Sequence, residues 1–301
     1  TKLMGNRFEL SVVADDEAWA QQAIQTGIDE IKRIEQLLTT FRDDSETNQI
    51  NQQAGIASVT VSEETFNLIE RSIRISDITQ GAFDISYGSI DKSLWNFDTN
   101  MTSLPDAATA KQMVRLINYK NIELNRANLS VYLKEKGMRI GFGGIGKGYA
   151  AEMAKHTMQA FGVTSGVVNA SGDLTAWGLQ PNGEEWTIGV VNPNLPGEIF
   201  SFMKVTGLAI ATSGNYEKYI TINGKKYSHT INPKTGLPVT GIKSVTVITT
   251  NAEIADAMAT PITVMGVQKG LDLINQIKDM EVIIIDDDNK MYTSSNIHIQ
   301  R

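Results

Sequence analysis

The chain has 301 residues, with 27 Lys plus Arg against 34 Asp plus Glu and a net charge of -7. That length supports a sizeable core without staples, and an acidic balance with no long basic run argues against nucleic acid as a partner. There is no Cys, which excludes disulfides, thiolate metal sites and Cys nucleophiles, and no run approaches the roughly 18 apolar residues of a membrane-spanning helix.

Phe8 to Val13 alternates as a strand, and Glu17 to Thr40 carries apolar residues at helical spacing, among them Ile24, Ile28, Ile31, Ile34 and Leu38. Phe41 follows in a polar turn, where it is either a core plug or a stacking surface; the plug is the preferred reading. A second helix is predicted from about Ser62 to Gln80, stopping at Gly81. Asp84 then sits between Phe83 and Ile85, where burial requires a specific hydrogen-bond partner, a backbone turn included. A short helix near Ala107 to Ile117 and strands at Ile122 to Leu124 and Leu129 to Leu133 complete a first half without an obvious linker.

At Arg139 to Tyr149 a predicted strand runs into a glycine-rich turn opening a helix from Ala150 to Phe161. Five glycines within eight residues let the main chain approach a ligand, and Lys147 beside a helix N-terminus favours an anion. The segment is neither a Walker loop nor a clean dinucleotide fingerprint. Gly166 to Trp177 is another strand ending in small residues and an Asp, Asp173, and strands are expected at Trp186 to Val191 and Phe200 to Val205. Thr212, Ser213 and the backbone at Gly214 could contact a nucleotide; the nucleophile-elbow pattern is absent.

Of the three histidines, His156 falls in a helix and His298 near the end, whereas His229 adjoins a Pro-Lys-Thr-Gly turn suited to chemistry. Val245 to Thr249 feeds the stretch Asp256-Ala-Met-Ala-Thr260, closed by Pro261. Asp256 and Thr260, four apart on a helical turn, can offer two oxygens to one hard cation; the same residues also fit a plain helix start that the Pro ends. A helix from Val267 to Ile277, a strand from Glu281 to Ile285, a solvated acidic turn at Asp286 to Asn289 and a last strand ending at Ile299 finish the chain.

The order of these segments closely resembles the ApbE family, the Mg2+-dependent FAD:protein FMN transferases. The resemblance runs from Met4-Gly5 through Phe83-Asp84-Ile85, Gly143 to Ala150 and Ala211 to Tyr216 to the two specific segments, Ser228 to Gly236 and Asp256 to Thr260. It implies one α+β domain over residues 1–301, with mixed sheets flanked by helices and room for two interleaved halves. It implies Mg2+ held by Asp256, Thr260 and the Gly144 carbonyl, and FAD contacted by Met4, Phe41, Asp84, Lys147, Thr212 and Ser213. Asp256 and His229 would be the catalytic residues, with His229 helping to deprotonate or orient the incoming hydroxyl. The implied reaction joins the FMN half of FAD to a threonine, or sometimes serine, hydroxyl of an acceptor flavoprotein, releasing AMP.

Such acceptors are typically subunits of membrane redox complexes. Family members are commonly exported and lipid-anchored outside the cytoplasmic membrane, which leads us to expect a leader before Thr1. Departures lie beside the binding positions: Gly141 stands where the family often has Asp, Gly146 where Ala is common, and Tyr87-Gly-Ser89 replaces Val-Gly-Pro. Hydrolysis of FAD to FMN and AMP at the same centre is the nearest alternative, and a non-catalytic flavin binder is a more distant one.

Overall fold

In the computed structural model, residues 1–91, 103–191, 199–214, 219–222, 224–228 and 230–297 are described. The first half runs β1 (Lys2–Leu3), β2 (Asn6–Val12), α1 (Glu17–Leu38), α2 (Glu46–Gln52), β3 (Val59–Thr60), α3 (Glu63–Ile78), α4 (Ala107–Met113), β4 (Ile122–Asn125), β5 (Ser130–Leu133) and α5 (Gly146–Phe161). The second runs β6 (Gly166–Ala170), β7 (Asp173–Trp177), β8 (Trp186–Val191), β9 (Ile199–Val205), β10 (Leu208–Gly214), β11 (Tyr219–Ile222), β12 (Lys225–Ser228), β13 (Ile242–Thr249), α6 (Ala252–Met265), α7 (Val267–Ile274), β14 (Glu281–Asp286) and β15 (Met291–Thr293).

The class is α+β, as expected, and every strand pairing among the described residues is antiparallel. Eight strands form the central sheet in the order β1-β2-β6-β7-β10-β13-β14-β15, so both ends of the chain enter one sheet. Alternation gives that sheet two faces. Ala209 and Ala211 of β10 and Val245 and Val247 of β13 join the main core with α1, α5 and α6. Ile210 and Ile248 face the other way, into a cluster closed by Trp186, Ile188, Met203 and Val205 of the β8–β9 hairpin.

Helix α1 is capped by Asp16, whose side chain accepts the Trp19 N–H at 2.9 Å. Its buried stripe of Ala23, Gly27, Ile31, Ile34 and Leu38 faces the core. Ile31 and Ile34 have no exposed surface, and each such burial contributes about 1.5–3 kcal/mol. Gly27 is required for close approach, since a Cβ there would lie 2.7 Å from Met158 Sδ of α5.

Several expectations are corrected. Phe41 is 96% exposed, so it is not a core plug. The predicted strand running from Arg139 into the glycine-rich turn is absent, residues 134–145 containing none, and α5 begins at Gly146, inside the turn. Pro261 lies within α6 and does not end it: the helix continues to Met265, although the proline cannot donate the hydrogen bond to the Ala257 carbonyl. Residues 298–299 of the expected last strand lie outside the described residues.

Candidate active site

The site is assembled where the N-terminus of α5 meets the first turns of α6. Gly148 makes the approach possible, for a Cβ there would lie 2.1 Å from the Ala252 carbonyl oxygen and 2.6 Å from Asp256 Cβ. The Gly148 N–H donates to Asp256 Oδ2 at 2.9 Å. Asp256 is buried, and its carboxyl is pushed up to about 7, first by that burial and next by the negative charge of Asp173, with Lys147 and backbone N–H groups opposing. Lys147 in turn forms an ion pair with Asp173 at the start of β7.

Two further contacts fix the start of α6. Glu152, one turn beyond Gly148 on α5, accepts the Ala252 N–H at 2.8 Å and satisfies one of the helix's unpaired donors. Arg71 of α3 forks onto Glu253 at 2.7 and 3.0 Å. Tyr149 donates its hydroxyl to Glu64 at 2.6 Å, and burial followed by that carboxylate raises its pKa. The carboxylates of Glu152 and Glu253 also complement the positive end of the α6 dipole.

Around this joint the structure gathers several predicted residues. Met4 occupies the β1–β2 turn in a left-handed conformation, φ 49°, and its Cε is 3.6 Å from where a Cβ on Gly146 would sit. The Phe83 ring is 3.6 Å from the corresponding point on Gly144. Thr260 follows Asp256 by four residues on α6, so both oxygens project from one side of the helix.

Asp84 already has backbone work. Its Oδ1 accepts the Ser86 N–H at 2.8 Å and the Ser86 hydroxyl at 2.6 Å, and its Oδ2 accepts the Tyr119 N–H at 2.8 Å. Burial pushes its carboxyl up, and these bonds draw it back.

The structure separates Thr212 from Ser213. Ser213 shares the helix-facing side of β10 with Ala209 and Ala211. Thr212 points to the opposite face, where its hydroxyl meets that of Thr246 at 2.9 Å. Phe41 stands in solvent on the loop after α1. His229 lies outside the described residues.

Sequence reasoning assigned no role to Asp173 or Glu152. The four-residue spacing of Gly148 and Glu152 on one helical face was the available signal for the latter. Asp173 becomes legible only through the sheet, which places it on the face turned toward α5.

The donors proposed for a metal are a carboxylate, a hydroxyl and a backbone carbonyl, a set that suits a hard cation such as Mg2+. Among the described residues no three His, Cys, Asp or Glu side chains form a metal cluster. The fit rests on Asp256: its buried carboxyl is held toward the protonated form, and a neighbouring divalent cation would favour the ionised one.

A family model described as the ApbE family matches residues 4–284. An FAD:protein FMN transferase of Klebsiella pneumoniae (strain 342) is 32% identical over 295 residues, covering 97% of this chain and 90% of that protein. One from Treponema pallidum (strain Nichols) is 29% identical over 283 residues, 89% of this chain and 78% of its own. The crystal structure of the ApbE protein of Thermotoga maritima aligns with a TM-score of 0.87 at 27% identity, covering 97% of this chain and 94% of that one.

Proposed function

The chain belongs to the ApbE family, and from that premise we propose that it transfers the FMN half of FAD to a threonine or serine hydroxyl of an acceptor protein, releasing AMP. The observation that carries the reading is the α5–α6 joint, where the Gly148 N–H holds Asp256 beside the Lys147–Asp173 pair. An ammonium group and a carboxylate able to take a cation suit a pyrophosphate.

In the reaction the acceptor oxygen forms a bond to the FMN phosphorus, and the bond from that phosphorus to the bridging oxygen breaks. AMP leaves with the bridging oxygen, and the hydroxyl proton passes to a base. Lys147 binds and orients the pyrophosphate. Asp173 holds the Lys147 ammonium in place. Asp256, Thr260 and the Gly144 carbonyl would hold Mg2+, whose contribution is to neutralise charge on the pyrophosphate oxygens. His229, by resemblance, is the base. The acceptor would be a flavin-carrying subunit of a membrane redox complex, met outside the cytoplasmic membrane.

The test is incubation with FAD, Mg2+ and a threonine-bearing flavoprotein acceptor domain, followed by in-gel flavin fluorescence under denaturing conditions and chromatography for AMP. A fluorescent acceptor band with AMP, both lost with chelator or in Asp256→Ala, is the expected result. AMP without a band on any acceptor would replace transfer by hydrolysis, and neither product would leave a flavin binder. A His229→Ala variant transferring at the wild-type rate would remove that residue from the proton step.

A further inference from the structure

A pocket of about 440 Å³ opens between the C-terminal ends of α3 and α6, the turn at residues 232–234 and helix α7. Its walls include the apolar side chains of Ile78, Ala82, Val264 and Leu273, and Lys234 and Lys269 stand at its exposed rim. Neither lysine is in an ion pair among the described residues; the rim's one carboxylate, Asp272, accepts the Gln268 side-chain amide at 2.8 Å. A third ammonium joins them, as Lys111 Nζ donates to the Lys234 carbonyl at 2.7 Å. On a chain of net charge -7, this is a local basic surface with an apolar floor.

The pocket and the candidate active site share helix α6. Asp256, Thr260 and Val264 recur at four-residue steps along one face of α6. Val264 is thus roughly 12 Å along the helix axis from Asp256, a distance spanned by about four extended residues. Ala82 directly precedes Phe83, whose ring lies against Gly144.

The groups suited to the pyrophosphate sit elsewhere. Met4, Gly146 and Lys147 gather at the N-terminus of α5, against the N-terminal half of α6. The basic rim lies at the other end of α6, apart from these groups.

We propose that this pocket docks an acidic segment of the acceptor protein, with an apolar side chain in the pocket and a carboxylate between Lys234 and Lys269, a few residues from the hydroxyl that is modified. This inference rests on the transferase reading. The two lysines would supply steering and register for the acceptor and little to FAD itself.

The experiment uses the full chain, FAD, Mg2+ and the acceptor domain above, comparing wild type with the double variant Lys234→Glu/Lys269→Glu. A charge-matched control, Lys32→Glu/Lys136→Glu, alters exposed lysines away from the pocket. The expected result is a KM for the acceptor raised about tenfold at low salt, with the difference shrinking as salt is added. The rate at saturating acceptor and the FAD affinity from flavin fluorescence should stay within about twofold, and the control should behave as wild type. An unchanged acceptor KM would overturn the docking site while leaving the transferase reading intact. A parallel loss of FAD affinity would assign the lysines to the nucleotide and also overturn it. If the wild type labels no acceptor, the transferase reading fails first and the docking site falls with it.

Discussion

Replacing Gly148 by alanine would place a Cβ 2.1 Å from the Ala252 carbonyl oxygen and 2.6 Å from Asp256 Cβ. Both neighbours belong to α6, held by the core on one side and by Glu152 and Arg71 at its start. Restoring ordinary contact requires α6 to retreat by about 1 Å or more, because a close-packed interior offers no smaller adjustment. The 2.9 Å bond from the Gly148 N–H to Asp256 would then stretch out of hydrogen-bond range. Overpacking costs about 1–3 kcal/mol and the lost bond to a carboxylate about 1.5–3 kcal/mol, against a gain of about 1 kcal/mol in helix propensity.

The net loss, about 2–5 kcal/mol, should lower the melting temperature by roughly 3–8 °C. Gly146, two residues earlier, is the internal control. A Cβ there would meet Phe142 Cβ at 3.4 Å and Met4 Cε at 3.6 Å, ordinary contacts, and the alanine common in the family at this position fits the space. Gly146→Ala should therefore melt within about 2 °C of wild type or above it. Circular dichroism melts of both variants and a Mg2+ titration followed by thermal shift read the outcome. A Gly148→Ala protein that melts and responds to Mg2+ like wild type, or a Gly146→Ala protein equally damaged, would refute the close α5–α6 contact.

Asp256 gives the metal-free protein a pH signature. The folded state keeps its proton to about pH 7, against 3.8 for the ordinary group, so this residue's favourable contribution is complete at low pH and is lost as pH rises through about 7. Relative to Asp256→Asn, wild type should lose about 2–3 kcal/mol between pH 5 and pH 8 and recover part of it with Mg2+, measured by urea unfolding; a pH-independent difference would contradict the burial argument. Asp173→Asn should remove the carboxylate that positions the half-buried Lys147 ammonium and lower the transfer rate by about tenfold, with the largest effect in kcat if Lys147 offsets the charge on the departing AMP. Phe41→Ala should leave the melting temperature unchanged because the ring is 96% exposed, so a fall in FAD affinity would report a direct flavin contact.

Much of the local structure follows from periodicity and caps. The helical stripe of α1, the Ser62 start of α3, and the four-residue step from Asp256 to Thr260 are all local properties, written in spacings that a single chain segment can express. The glycine-rich segment announced a close backbone approach for the same reason, and the ordered series of short motifs announced the family. Pro261 misled because a proline inside a helix can be tolerated when the surrounding core holds both halves of that helix, as it does here.

Tertiary structure decided which of these parts meet. Gly148 finds its partner 108 residues away in Asp256, and Lys147 finds Asp173 across the face of a sheet whose strand order no local pattern encodes. The same sheet divides Thr212 from Ser213, because neighbouring residues on a strand point to opposite faces and only the packing of helices on one face says which is which. Exposure of Phe41 and the raised pKa of Asp256 belong to this level too. Burial and the charges of distant residues are properties of the assembled interior, and a sequence fixes them only by folding.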